Sequence, residues 1–247
     1  MRVVVCPSPE DLGVAVARHA ARILRKAIAE HGSASLVLST GRSQFETLEA
    51  LVQEDIDWSA VECYHLDEYV DLPPDHPASF RRYLHERLLS YVSPRAFHFV
   101  TGDEENRIAL SQQIRERRLD LGLIGIGENA HIAFNDPPAD FETTEPFINV
   151  ELDEACRQQQ FSEGWFESFD LVPRRAVTMT VHQIMQCRTI LQAVPFSAKA
   201  DAVAAVLGGE ISPWRPASVL RRHPDVHLYV DTDSFAKVDP KTLRLEE

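Results

Sequence analysis

The stretch LDLGLIGIGENAHIAFNDPP, residues 119–138, divides at Gly125 into two kinds of sequence. Its first half is an apolar run with no polar alternation, the pattern of a strand buried on both faces of a parallel sheet. Its second half gathers glycines, an amide, a histidine and a carboxylate where that strand must end. In open α/β sheets such strand ends are where ligands bind. A histidine at this place, His131, has Asn129 two residues before it and Asp136 five after. Histidine changes charge near neutral pH, and either neighbour is able to orient or polarise its ring.

Outward from this stretch the chain alternates short apolar runs with helical patterns. RVVVC (2–6) and SLVLS (35–39) read as buried strands, as do AVECYHL (60–66) and FHFV (97–100). Between the first two lies a helix capped by Ser8, with Pro9 at its first position and Gly32 closing it. FETLEALVQED, SFRRYLHERLLSYV and ENRIALSQQIRERR read as further helices. The second half repeats the theme, with FINVEL, RAVTMTV, RTILQAV and VHLYVD as strands and DEACRQQQF, SAKADAVAAVLGG and PASVLRRH as helices. The expectation is an α/β fold, a mostly parallel sheet with helices on both faces, formed by one domain over residues 1–247.

Composition narrows the function. With 44% hydrophobic residues in 247, the chain has enough apolar surface for a sizeable core. A formal charge of −13 disfavours nucleic acid and anionic membranes as partners. No window reaches the ~18 apolar residues of a membrane span, and MRVVVCPSPED lacks a signal-peptide core, so a cytoplasmic location is expected. Cys6, Cys63, Cys156 and Cys187 are widely spaced and read as buried thiols, with no metal or disulfide role.

Three more segments are candidates for chemistry. STGRSQ (39–44) is a strand-to-helix turn with hydroxyls, a glycine and an arginine, suited to a phosphate but matching no nucleotide-binding motif. In HLDEYVDLPPDHPASF, Asp67 and Glu68 follow a strand, where a carboxylate can be tuned toward a general base; adjacent loop acids are more often solvated. The proline-stiffened segment after them suits a wall or lid, and Ser79 suits a helix cap. Lys199, in the first turns of a helix, is placed to bind an anion.

Together these segments resemble the glucosamine-6-phosphate deaminase family, within a wider group that includes 6-phosphogluconolactonases. LDEYVDLPPDHPASF resembles the family's LDEY-x-G-L-x-x-x-H-P-x-S-[FY], and GIGENAHIAFNDP its G-x-G-x-[DN]-G-H-I-A-F-N-[ED]-P. STGRSQ stands at the family's phosphate loop, and PRRAVTMTVHQIM, AVPFSAKADAV and PASVLRRHPDVHLYVD follow in the same order. The resemblance implies a modified Rossmann-like fold, no cofactor and no metal, and conversion of glucosamine 6-phosphate to fructose 6-phosphate and ammonia by aldose–ketose isomerisation. It implies Asp67 as the base between C2 and C1, and His131, supported by Asn129 and Asp136, as the ring-opening group. Ser39, Gly41, Arg42, Ser43 and Lys199 would hold the phosphate of a small sugar-phosphate partner. Related enzymes are monomers or hexamers, so a homo-oligomer is within expectation.

The departures from that pattern are specific. Asn129 stands for an aspartate, Asp136 for a glutamate, Ala130 for a glycine, and Gln160 for a phosphate-binding arginine that Arg42 or Arg157 would replace. Pro146 and Ile148 occupy the approximate places of basic residues used by allosterically activated members. A 6-phosphogluconolactonase-like hydrolase and a non-catalytic sugar-phosphate sensor are the alternatives; Asp67 and His131 together favour an enzyme.

Overall fold

The computed structural model describes residues 1–162, 164–239 and 241. The expected boundary at Glu247 therefore lies outside the described residues. Its strands are β1 (Arg2–Cys6), β2 (Ala34–Leu38), β3 (Val61–His65), β4 (Asp67–Tyr69), β5 (Ala96–His98), β6 (Leu119–Ile124), β7 (Phe147–Glu151), β8 (Arg175–Met179), β9 (Cys187–Val194) and β10 (Val226–Asp231). The helices are α1 (Pro9–His31), α2 (Phe45–Leu51), α3 (Phe80–Leu84), α4 (Glu104–Ile114), α5 (Glu154–Ser162), α6 (Val181–Ile184) and α7 (Ala200–Gly208).

Seven strands form one sheet in the order β1-β10-β9-β6-β2-β3-β5, and every pairing in it is parallel. Strands β2, β6 and β10 are buried along their whole length, with the polar Ser35, Asp120, His227 and Asp231 buried among their apolar residues. Leu12, Val16 and Leu24 of α1 and Leu48 of α2 cover one face, against Leu36, Leu38 and Leu121. Ile114 of α4, Ile184 of α6 and Val203 and Val206 of α7 cover the other, against Val37, Ile124 and Leu228. The chain leaves β2 toward β3 on one side and β6 toward β9 on the other. The crevice between these two neighbours is therefore a topological switch point.

Helix α1 follows the sequence reading closely: the Ser8 hydroxyl accepts from Asp11 N–H, and Gly32 closes the helix at φ 74°. Three expectations need correction. FINVEL and RAVTMTV do not join the parallel sheet; β7 and β8 pair antiparallel with each other and with β4 in a separate three-stranded sheet. PASVLRRH forms a 3-10 helix, Pro216–Arg222. SFRRYLHERLLSYV begins as α3 but widens at His85–Leu89 into a π-helical turn, with Ser90 N–H donating to His85 C=O. The four cysteines are buried and unpaired. Among the described residues no helix is long and apolar enough to cross a membrane.

Candidate functional site

A cavity of about 370 Å³ opens at the carboxyl ends of β2, β6 and β9, over the switch point. It is lined by seven of the residues singled out from sequence: Ser39, Gly41, Arg42, Ser43, Asp67, His131 and Lys199. Its volume is within the ~300–1,000 Å³ of small-molecule sites.

The loop after β2 forms one wall. The buried Ser39 hydroxyl accepts from Gly125 N–H at 3.1 Å, which fastens this loop to the one after β6. Gly41 sits at φ 96°, and its carbonyl accepts from Tyr83 Oη at 3.1 Å. A 3-10 turn, Arg42–Gln44, precedes α2, which is only seven residues long. The phosphate-suited character of this wall therefore rests on Ser39, Ser43, Arg42 and Lys199 rather than on the field of a long helix. Arg42 is not free to reach far, because Nη1 bonds Glu46 Oε1 at 2.6 Å and the guanidinium stacks on Phe45 and Phe196. Phe196 holds its place at φ 81°, a backbone conformation costing on the order of 1–3 kcal/mol for a residue with a side chain.

Asp67 and Glu68 are both buried, not solvated, and lie on β4 rather than in a loop. Pairing with β8 sets Asp67 opposite Thr178 and turns it into the cavity. Burial pushes the Asp67 carboxyl well above the usual carboxylate range; neighbouring Glu68 adds to this, and the Phe134 main-chain N–H opposes it. Glu68 turns the other way and accepts from the main-chain N–H groups of Tyr69, Phe80 and Arg81 and from the Ser79 hydroxyl. One acid faces the cavity, and the other anchors the start of α3. Ser79 caps that helix as expected.

His131 lies on the turn after β6. A Cβ at Gly127 would stand 2.2 Å from the ring, so only glycine lets the imidazole lie against this backbone. Ala130, at φ 67°, holds the left-handed conformation that glycine adopts at less cost. The turn is tied down from the second sheet: Phe134 N–H donates to Thr178 Oγ1 at 3.0 Å, and Asn135 Nδ2 donates to Met179 C=O at 2.9 Å. His131 Nδ1 lies 3.1 Å from Asp136 Oδ1, but the two are not aligned as a hydrogen bond. Burial pushes Asp136 up, and the contacts of His131, the Cys156 thiol and Asn129 overcome it, so this carboxyl rests below its usual range.

Asn129 and Asp136 stand behind His131 and do not line the cavity. Asn129 does not reach the ring: its Oδ1 accepts from the His131 main-chain N–H at 3.1 Å, and its Nδ2 donates to Asp136 at 3.2 Å. It fixes the turn and the carboxylate, and through them the histidine. Gln160 does line the cavity, its Oε1 accepting from Tyr69 Oη at 2.7 Å. Arg157 is not there to replace a missing cation. Its guanidinium is spent on the carbonyls of Val172 and Phe169. Two histidines outside the cavity also have polar partners: Tyr229 Oη for His19 and the Cys187 carbonyl for His223.

Sequence reading missed Thr178, Cys156 and Arg87. The first two come from the second sheet and α5, whose approach to the His131 turn depends on long-range packing. Arg87 depends on the π turn.

The model of the family "glucosamine-6-phosphate isomerases/6-phosphogluconolactonase" matches residues 7–228. A glucosamine-6-phosphate deaminase of Lactobacillus delbrueckii subsp. bulgaricus is 31% identical over 237 residues, covering 94% of this chain and 97% of that protein. The solved structure of a monomeric glucosamine-6-phosphate deaminase superposes with a TM-score of 0.87 at 30% identity, covering 96% of this chain and 100% of that one. A 6-phosphogluconolactonase from Shewanella baltica shares the fold, with a TM-score of 0.75 at 20% identity over 94% of this chain and 97% of that one. The parallel sheet, the switch-point cavity and these matches agree: the chain belongs to the family of glucosamine-6-phosphate isomerases and 6-phosphogluconolactonases.

Proposed function

We propose that this protein is an amino-sugar-phosphate deaminase, converting glucosamine 6-phosphate and water to fructose 6-phosphate and ammonia. The observation that carries this reading is Asp67, a buried carboxyl in the cavity wall whose ionisation burial opposes. An amino sugar brings an ammonium to that end of the cavity and supplies the counter-charge. A lactone brings none.

In this reading the hydroxyls of Ser39 and Ser43, the Gly41 backbone, Arg42 and Lys199 hold the phosphate and so orient the reacting carbons. His131 moves the ring-oxygen proton during ring opening, with Asp136 behind it to stabilise the charged imidazole and Asn129 to fix both. Asp67 then takes the proton from C2 and returns it at C1, while one proton of the C2 ammonium ends on O1, so that the aldehyde becomes an alcohol and C2 an iminium. Water adds there, ammonia leaves, and the ketose phosphate remains. The same reading puts the protein in the cytoplasm, in the breakdown of amino sugars derived from N-acetylglucosamine.

The test is a substrate panel. Glucosamine 6-phosphate, galactosamine 6-phosphate and 6-phosphogluconolactone are offered separately, with ammonia, fructose 6-phosphate and lactone opening measured. Stoichiometric ammonia and fructose 6-phosphate from the first is the expected result. Lactone opening alone would replace this reading with a hydrolase, and binding without turnover of any of the three would replace it with a sensor.

A further inference from the structure

The cations lining the cavity are Arg42, Arg87 and Lys199, apart from His131. Of the two arginines, Arg42 already has a carboxylate, Glu46, at 2.6 Å. Arg87 has none within 4.0 Å among the described residues, and its neighbour Glu86 is engaged by Arg82 at 2.7 Å. Arg87 is therefore the uncompensated arginine of this wall. It is also held still. Its guanidinium carbon lies 3.3 Å from the centroid of Phe45 and 5.6 Å from that of Tyr83. Phe45 is the same ring that carries Arg42, at 4.8 Å. Two like charges gathered on one ring disfavour each other until an anion joins them.

The backbone contributes as well. Arg87 lies in the π turn His85–Leu89, which inserts a residue into the helix and moves its side chain relative to an unbroken α-helix. Tyr83, from α3 just before this turn, bonds the Gly41 carbonyl and so packs the turn against the loop after β2.

We infer that Arg87 is a specificity-determining residue that binds the substrate's phosphate from the α3 side of the cavity that Lys199 also lines. This rests on the sugar-phosphate reading above and adds a residue to it. A planar guanidinium already stacked on an aromatic ring loses little freedom on meeting a phosphate and offers it two parallel N–H donors. A lysine at this position would keep the charge and lose the stacking and the fork.

The experiment uses the full chain with Arg87→Ala and Arg87→Lys. Inorganic phosphate binding is measured by calorimetry, and KM and kcat are measured for glucosamine 6-phosphate. In Arg87→Ala the phosphate Kd and the KM are expected to rise together by ~10-fold or more, the scale of one charge-assisted contact. Arg87→Lys is expected to recover only part of each, and thermal unfolding reports whether both variants stay folded. A phosphate Kd unchanged in folded Arg87→Ala overturns the inference while leaving the deaminase reading intact. A parent protein that releases ammonia but gains no affinity from phosphate also overturns it. Failure of the parent to release ammonia from any amino-sugar phosphate strikes the deaminase reading itself; the calorimetric arm still decides whether Arg87 binds an anion.

Discussion

Folding disfavours the ionised form of Asp67. Burial raises its pKa above the ordinary value of 3.8, so the native protein keeps a proton that the unfolded chain has released. Stability associated with this group is full below pH 3.8 and is lost as pH rises toward the native pKa. Asp67→Asn removes that loss. Its melting temperature should exceed the parent's by a margin that widens as pH rises from about 4 to about 8, while turnover falls by ~10²-fold or more. A margin independent of pH would show that the carboxyl is not strained by burial. Asn129 has the opposite kind of influence. Its amide donates to Asp136 and helps keep that carboxyl ionised, so Asn129→Asp removes a donor and adds a like charge. The acid limb of the kcat/KM profile should move to higher pH by about one unit. An unmoved limb would reduce Asn129 to a turn residue.

At the level of elements, α1 and the core strands were legible because local signals and the tertiary fold agree. Ser8, Pro9 and Gly32 cap one helix, and the largely apolar runs of β2 and β6 suit a sheet covered on both faces. The three-residue β4 was not legible, since Asp67 and Glu68 read as loop residues after β3 until β8, more than a hundred residues later, pairs with them. The π turn was hidden for a different reason. His85–Leu89 keeps a helical pattern in sequence, and only the hydrogen bond from Ser90 to His85 reveals the extra residue. Thus His131, Asp67 and the loop after β2 were visible as residue types in context, whereas Arg87 and Cys156 come to the site only through packing. The same packing makes Glu68 a test of how β4 and α3 are joined. Each of its oxygens accepts from the backbone near the start of α3, and Oε2 also lies 3.3 Å from Arg81 Nε. Glu68→Gln turns one acceptor into a donor facing other donors and leaves Arg81 without its charge partner. A loss of about 3–5 kcal/mol in urea unfolding is expected. A change below about 1 kcal/mol would mean that α3 is anchored by its apolar face alone.

Over the whole molecule, the charge of −13 contrasts with a cavity that carries Arg42, Arg87 and Lys199. The phosphate of a sugar phosphate would be drawn by the local cations and not by the net field, so the cavity has to keep its shape over the pH range in which those groups act. Away from the cavity lining, His65 and His19 contribute to how stability falls in acid. His65 is fully buried at the end of β3 between Phe80 and Phe99, and burial, with Arg81 nearby, pushes its pKa down to about 3. Burial and the charges of His227 and Arg22 push His19 down to about 4, against the opposing charge of Asp225. Both pKa values lie below the ordinary 6.5, so the unfolded chain takes up protons that the native protein refuses. Their contribution to stability is complete above pH 6.5 and is lost as pH falls toward 4 for His19 and 3 for His65. Above pH 3.8 Asp67 works in the reverse direction, and the two effects oppose each other across the same interval. In Asp67→Asn this opposing effect is gone, and its melting temperature should climb more steeply than the parent's between about pH 4 and about pH 6.5. Replacing His19 by glutamine in that background should flatten the climb, because an amide at this position carries no proton to refuse. Thermal unfolding of the parent, the single variant and the double variant across this range separates the two contributions. Equal slopes in the single and double variants would show that His19 takes its proton as readily in the native protein as in the unfolded chain.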